Sequence, residues 1–252
     1  MFDLVSIVMP TYNSSEFVVE SILSIQAQTY ANWELLITDD CSSDKTVNLI
    51  QNLASMDSRI KVFQLAENGG AGVARNYCIE KAAGRYIAFL DSDDLWAPDK
   101  LEKQLMFMAQ LNRDFSFTAY NHIDIAGDFL KKIDVPASVD HKSLLTGNVI
   151  ATATVMIRRE AFQDLNMPDF PRAQDFALWL KLLREVTNAY GLQEPLSDYR
   201  VTPNTGNRRK FFALKYLYNI FTQQERKSPA SACALIFRMY FHRLIKYRTR
   251  RS

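Results

Sequence analysis

The chain has 252 residues, 48% hydrophobic and 23% charged, an ordinary globular composition with enough apolar content for one large domain or a domain with extensions. The net charge of +2 hides an asymmetry: residues 1–207 carry 18 Lys and Arg against 27 acids, and residues 208–252 carry 12 against one, Glu225. Three cysteines (Cys41, Cys78, Cys233) without CxxC spacing exclude a disulfide scaffold and a zinc ribbon, and point to a reducing, cytoplasmic compartment. No basic n-region precedes the first strand and no apolar run approaches the ~20 residues that span a bilayer, so neither a signal peptide nor a membrane span is expected.

In chain order, Val5 to Met9 reads as a buried strand ended by Pro10-Thr-Tyr-Asn13. Ser14 or Ser15 is placed to cap a helix whose apolar positions Val18, Ile22 and Ile25 recur at helical spacing. Trp33 to Thr38 is a second strand, closing on Asp39-Asp40-Cys41-Ser-Ser-Asp44, with Asp44 as the next helix cap. Ile60 to Leu65 is a third. Asn68-Gly-Gly-Ala-Gly72 loops into a helix carrying Arg75 and Asn76, and Tyr86 to Leu90 is a fourth strand, followed by Asp91-Ser-Asp-Asp94. Strand–helix alternation over the first ~110 residues predicts a parallel sheet covered on both faces, with right-handed crossovers.

Beyond Pro98 a helix to about Asn112 is followed by strands over 115–120, 129–133 and 152–157 in a mixed extension. Asp175 heads a strongly periodic helix (Leu178, Leu182, Val186), Ser197 to Val201 is extended, and the rest is helical with a break at Ser228-Pro229.

Ligands of open α/β sheets bind outside the carboxyl ends of the strands. Three acids crowded at such an end, Asp91, Asp93 and Asp94, repel one another. Carboxylates without nearby His or Cys suit a hard ion, Mg2+ or Mn2+, that shares its shell with phosphate oxygens. The competing reading is acids in a helix first turn. The glycine loop is neither GxGxxG nor a P-loop, which leaves a phosphate contact or a permissive turn. Asp39 and Asp40 are placed to accept from a base or ribose, or to cap a helix; Tyr12 is placed to stack on a base, or to pack.

Together these stretches resemble the family 2 glycosyltransferases. The resemblance runs through Val5-Ser-Ile-Val-Met-Pro-Thr-Tyr-Asn13, Ser24-Ile-Gln-Ala-Gln-Thr-Tyr30, Glu34-Leu-Leu-Ile-Thr-Asp-Asp-Cys-Ser-Ser-Asp44, Asn68-Gly-Gly-Ala-Gly-Val-Ala-Arg-Asn76 and Phe89-Leu-Asp-Ser-Asp-Asp94, and thins to Thr154-Val-Met-Ile-Arg-Arg-Glu160, Gln174-Asp-Phe-Ala-Leu-Trp179 and Tyr199-Arg200 beyond residue 110. It implies a GT-A fold, a Rossmann-like mixed sheet covered by helices. A glycosyltransferase domain would fill 1–207 (nucleotide-binding half 1–110, acceptor-binding half 111–207), with basic amphipathic helices over 208–252.

It also implies roles. Pro10, Thr11 and Tyr12 match the loop that holds the base; Asp40 matches the acid that reads the pyrimidine edge, with Asp39 near the ribose. Arg75 matches a basic nucleotide contact, and Asp91, Ser92 and Asp93 the Asp-x-Asp element, in which Asp93 ligates the metal and Asp91 faces the ribose or a metal-bound water. Asp175 matches the general base, although Gln174 stands where the family usually has Glu. Cys41 replaces a small residue in the turn after the second strand. The activity implied is inverting transfer of a sugar, from a UDP-sugar by family habit, to a saccharide hydroxyl.

Arg200 and Arg208 resemble a segment that closes over the diphosphate, against the reading of plain surface charge. On a helical wheel Phe237, Tyr240, Phe241, Leu244 and Tyr247 share one side, and Arg238, His242, Arg243 and Lys246 the other. This is the pattern of a helix on the inner face of an anionic membrane, or of one docked on the acidic body; aromatics opposite the charges argue against a nucleic-acid partner. A membrane surface would make a polyprenyl-diphosphate-linked oligosaccharide the natural acceptor, as in bacterial O-antigen-type polysaccharide assembly. Two rivals are a sugar nucleotidyltransferase, which would want a basic glycine-rich loop after the first strand, and a non-catalytic sugar-nucleotide-binding protein, which would have no use for Asp175.

Overall fold

The computed structural model describes residues 3–202 and 210–248, with the backbone alone at 210–213 and 242–248. The first half alternates β1 (Val5–Thr11), α1 (Val18–Gln26), β2 (Trp33–Asp39), α2 (Thr46–Met56), β3 (Ile60–Gln64), α3 (Ala71–Lys81) and β4 (Tyr86–Phe89). A two-residue β5 (Leu95–Trp96) leads to α4 (Lys100–Gln110), β6 (Phe115–Ile123), β7 (Phe129–Ile133), β8 (Ser138–Val139), α5 (His141–Leu144) and β9 (Met156–Arg158). Then come α6 (Gln174–Leu182), β10 (Ala189–Arg200), α7 (Lys210–Asn219), a π-type turn at Ile220–Gln224 and α8 (Pro229–Arg248).

The described strands form one ten-stranded sheet in the order β3-β2-β1-β4-β9-β6-β10-β5, with β7 on β6 and β8 on β10. The β3-β2-β1-β4 half is parallel, in a register that sets Thr11 beside Asp39 and Val8 beside Phe89. β9 runs antiparallel to both β4 and β6, which makes the sheet mixed as expected.

Every residue of β1, β2 and β4 is buried, because side chains alternate between two cores. Ile7, Leu35, Ile37 and Ala88 face a core that includes Val18, Ile22 and Leu101 of α1 and α4. Val8, Leu36, Ile87 and Phe89 face the other, which takes in Cys78, Trp179 and Phe221. Close backbone approach fixes two glycines. A Cβ at Gly84 would stand 2.6 Å from the Ser6 nitrogen, and one at Gly191 only 2.0 Å from the Pro136 oxygen.

Several local expectations are corrected. Neither Ser14 nor Ser15 caps α1, whose first turn closes through the Ser14 carbonyl (2.9 Å from Val18 N), while the Ser14 hydroxyl turns to Ser92 at 2.7 Å. Asp44 precedes the capping position of α2 but does bond the Thr46 amide at 2.9 Å, and it is held near pKa 2: hydrogen bonds from Thr46 and Ser15 outweigh the opposing effect of burial. The strand expected over 152–157 is split. Thr152–Thr154 is a 3-10 turn closed by the Thr154 hydroxyl on the Ala151 carbonyl, and only Met156 onward is strand. The extended 197–201 stretch is the end of β10, which runs to Arg200 and takes up Pro195 through register shifts on either side of it.

The C-terminal helices join the body's core. On α8 the docking stripe is Ala232, Leu235, Ile236 and Met239, not the stripe drawn through Phe237 and Tyr240. Phe237 and Phe241 are left exposed and stacked, with centroids 6.2 Å apart. Glu225, the tail's lone acid, is buried between Arg184 (2.6 Å) and His141 (2.9 Å). Among the described residues the tail is thus anchored by apolar packing and by its acid. Among the described residues no helix is long and apolar enough to cross a membrane.

Candidate active site

The carboxyl ends of β1, β2 and β4 bring the expected residues to one edge of the sheet. Pro10 and Thr11 are buried within β1; only Tyr12, 52% exposed, stands open to stack on a ligand. The loops after β1 and β2 are laced together. Asn13, at φ 46°, donates from its amide to the Ser42 hydroxyl and accepts from the Ser43 amide, both at 2.8 Å. Asp39 accepts from Thr11 (3.1 Å) and from the Ser42 amide (2.9 Å), so its carboxylate shapes the turn through Cys41, itself at φ 65°.

Asp40 is buried and clasps the glycine loop: its two oxygens accept from the amides of Gly69 (2.7 Å) and Gly70 (2.8 Å), and its carbonyl accepts from Asn68. Gly70 needs its φ of 85°, which admits a glycine freely. These two amides therefore point at Asp40. Two residues on, Gly72 is buried against the Gln174 side chain, 3.1 Å from where a Cβ would sit, which seats the start of α3 on the start of α6.

After β4 the four residues 91–94 take four different environments. Asp91 is 28% exposed at its side chain and pairs with Arg75 at 2.5 Å. Ser92 is buried on Ser14. Among the described residues no hydrogen bond from another residue reaches the Asp93 carboxylate, and burial first, then the charge of Asp91, push its pKa up to about 6. Asp94 is fully enclosed and accepts from the Arg200 amide at 2.9 Å; burial and the charges of Asp93 and Asp91 raise it well above the usual range.

Arg75 is itself buried. Burial alone would lower its pKa, but the charges of Asp91 and, beyond it, Asp175 overcome that and keep the guanidinium protonated. Asp175 accepts from the Thr152 hydroxyl at 3.1 Å and occupies the second position of α6, not the N-cap; that place belongs to Ala173, in the left-handed region at φ 57°. A non-glycine residue held there, two positions from a site carboxylate, is the kind of strain that collects at functional sites.

Arg200 is neither surface charge nor a mobile arm. It is 2% exposed, donates to the carbonyls of Asp93 (2.9 Å) and Ile125 (2.8 Å), and pairs with Glu20 at 2.7 Å. Arg208 lies outside the described residues. The sequence reading gave Asp94 no role of its own and passed over Thr152 and the enclosure of Arg200. The run of three acids was a signal for the first; nothing in the sequence marked Thr152.

The donor set fits a hard divalent ion in part. Asp93 offers an unbonded carboxylate beside Asp91, all oxygen. Among the described residues no cluster of three or more His, Cys, Asp or Glu could hold an ion alone, so phosphate oxygens and water would have to complete the shell.

The fold is that of a GT-A glycosyltransferase. S. aureus TarS, solved in complex with UDP-GlcNAc, superposes with a TM-score of 0.73 over 95% of this chain and 72% of that one, at 18% identity. A Pyrobaculum calidifontis mannosyltransferase solved with GDP-Man and Mn2+ gives 0.72 over 94% and 69%, also at 18%. The glycosyl transferase family 2 model matches residues 6–166, and the chain belongs to that family. TuaG of Bacillus subtilis, whose name places it in teichuronic acid biosynthesis, is 42% identical over 224 residues, 88% of this chain and 89% of that one. The Escherichia coli UDP-Glc:alpha-D-GlcNAc-diphosphoundecaprenol beta-1,3-glucosyltransferase WfgD is 38% identical over 221 residues, 86% and 85%. The protein is a glycosyltransferase enzyme related to those of bacterial polysaccharide synthesis.

Proposed function

We propose that this glycosyltransferase inverts the anomeric carbon as it moves a sugar from a UDP-sugar to a saccharide hydroxyl on a polyprenyl-diphosphate carrier, in surface polysaccharide assembly of the O-antigen type. The observation that carries the reading is Arg75, one buried guanidinium in the field of both Asp91 and Asp175. It ties the acids suited to a diphosphate to a separate carboxylate suited to a base.

Tyr12 offers the base a stacking face, while Asp39 and Asp40 shape the loops around it and offer base and ribose their remaining lone pairs. Asp91, Ser92 and Asp93 lie at the diphosphate, and Asp93, with Asp91, would hold Mn2+ or Mg2+. When bound, such an ion offsets the charge that grows on the departing nucleoside diphosphate. Asp175 accepts the proton of the acceptor hydroxyl as that oxygen attacks. Thr152 orients the Asp175 carboxylate, and Gln174, neutral where the family usually has an acid, spares it a like-charged neighbour. A single displacement from an α-linked donor gives a β-glycoside.

Peripheral attachment to an anionic membrane is the second part of the proposal. Exposed Phe237 and Phe241 stand on the same helix as Arg238, which with Lys142 and Lys227 lines a cleft of about 710 Å³ between α5 and α8. This would keep the enzyme on the cytoplasmic face, where a lipid-linked acceptor resides.

The test is transfer from UDP-sugars to polyprenyl-diphosphate-linked acceptors, with the linkage read by NMR. Asp175→Asn should lower turnover about 10²- to 10⁴-fold while UDP affinity stays within twofold. Retained transfer by that variant, or a product with the donor's anomeric configuration, would overturn the mechanism. Flotation with anionic vesicles, lost in Phe237→Asp/Phe241→Asp, tests the attachment; equal flotation of both proteins would refute it.

A further inference from the structure

Three rings outside the residues assigned above gather on one face of the sheet beside the acids. Tyr120 and His122 are two apart on β6 and so share a face, and the register pairs His122 with Tyr199 of β10. Their centroids form a triangle: 5.6 Å from Tyr120 to His122, 5.4 Å from His122 to Tyr199 and 6.4 Å from Tyr120 to Tyr199. All three are half-buried.

The chain places this triangle at the reaction edge. β5, which follows Asp94 directly, pairs with β10 so that Leu95 lies beside Asp198, and the Arg200 amide bonds the Asp94 carboxylate. Tyr199 stands between those two anchors. Its neighbours in sequence are spoken for, since Asp198 accepts from Asn121 at 2.9 Å and Arg200 is locked under Asp93. Burial, then the charges of Asp94, Asp91 and Asp93, raise the Tyr199 phenol above its ordinary range, so the hydroxyl stays protonated in the field of the acids. His122 is lowered by burial and by Lys131, which keeps it a neutral ring.

Apolar packing does not account for this group. Lower on the same strand Phe115, Phe117 and Ala119 fill the core with hydrocarbon on the opposite face, while the face that carries the rings continues through the buried polar Ser116 and Thr118; here every ring carries a polar atom and is partly open. Aromatic faces that take the C–H side of a pyranose, with hydroxyl and imidazole groups at their edges for its hydroxyls, are the furniture of a carbohydrate subsite.

We propose that Tyr120, His122 and Tyr199 form the subsite that holds the sugar ring of the acceptor and turns its hydroxyl toward the donor. The inference rests on the transferase reading above and adds to it the residues that recognise the acceptor. They are positioning and specificity residues, with no covalent part in the reaction.

Two rates measured on the full-length enzyme separate the possibilities: hydrolysis of the nucleotide sugar by water, which needs no acceptor, and transfer to the lipid-linked saccharide. In His122→Ala and Tyr120→Ala the acceptor KM should rise about tenfold or more, the worth of one good ring contact. Donor KM and hydrolysis should stay within twofold, and Tyr120→Phe should restore most of the acceptor affinity. An unchanged acceptor KM, or a donor KM that rises equally, would overturn the subsite. If the Ala variants prove unstable, Tyr120→Phe and His122→Phe decide on the same two rates: unaltered acceptor KM in Tyr120→Phe alongside a changed selectivity among saccharides in His122→Phe upholds it, and no change in either overturns it. A wild-type enzyme that hydrolyses its donor but accepts no saccharide would remove the subsite alone; one that does neither would remove the functional reading beneath it.

Discussion

Arg75 on α3 and Asp91 after β4 form an ion pair of 2.5 Å whose cation is buried and whose acid is partly open. The arginine comes from the helix behind the sheet and reaches under the site, so the donor edge is built around a positive charge that solvent does not screen. Removal of a buried partner leaves the other group uncompensated. Arg75→Met should therefore lower stability by about 2–4 kcal/mol and, by releasing Asp91 and Asp175 from their shared counter-charge, reduce transfer at least a hundredfold. Urea melts and transfer assays check this; a variant with native stability and turnover would show that the pair is incidental.

The clasp of Asp40 on the glycine loop makes a second prediction. Two amide hydrogen bonds to a carboxylate contribute about 1.5–3 kcal/mol each, so Asp40→Ala should free Gly69 and Gly70, whose amides then exchange hydrogen at least tenfold faster. Asp40→Asn keeps one acceptor oxygen and should fall between. Amide exchange by NMR reads both, and native protection in Asp40→Ala would contradict the clasp.

Lys100 gives a pH dependence. It is fully buried, 2.8 Å from the Gln104 oxygen and 4.1 Å from the centroid of the Trp96 ring. Burial lowers its pKa from 10.5 to about 7. Between those values the unfolded chain holds one proton more than the folded chain, so this lysine makes stability rise with pH by about 1.4 kcal/mol per unit. Below pH 7 both states are protonated and the penalty is complete. Lys100→Met removes it, so the variant should exceed the wild type most at pH 6–7, with a margin that shrinks toward pH 10. Urea melts at pH 6.5, 8 and 9.5 test this; a constant margin would refute it.

The nucleotide half was legible because its signals are local. Val5 to Met9 and Tyr86 to Leu90 are short β-rich runs, and the polar residues that end them fall at one edge by topology alone. The second half was less so, since its elements depend on distant partners. Gly191 and Pro195 look like breakers until the Pro136 carbonyl and the bulges of β10 explain them. Arg200 looked like surface charge because its partners, Glu20, Asp93 and Ile125, are far away in sequence. On α8 two apolar stripes overlap, and only the core beneath selects Ala232, Leu235, Ile236 and Met239 over Phe237 and Phe241.

Residues 91–93 are proposed to receive the diphosphate of a sugar nucleotide. The most direct measurement is hydrolysis of a panel of UDP-, GDP- and dTDP-sugars by the full-length enzyme, with Mn2+ or with chelator, for the wild type and Asp93→Asn. Cleavage of one or two UDP-sugars that is lost with chelator and falls at least a hundredfold in Asp93→Asn is the expected result. Cleavage of none, with no nucleotide sugar raising the melting temperature, or cleavage indifferent to Asp93, would contradict it.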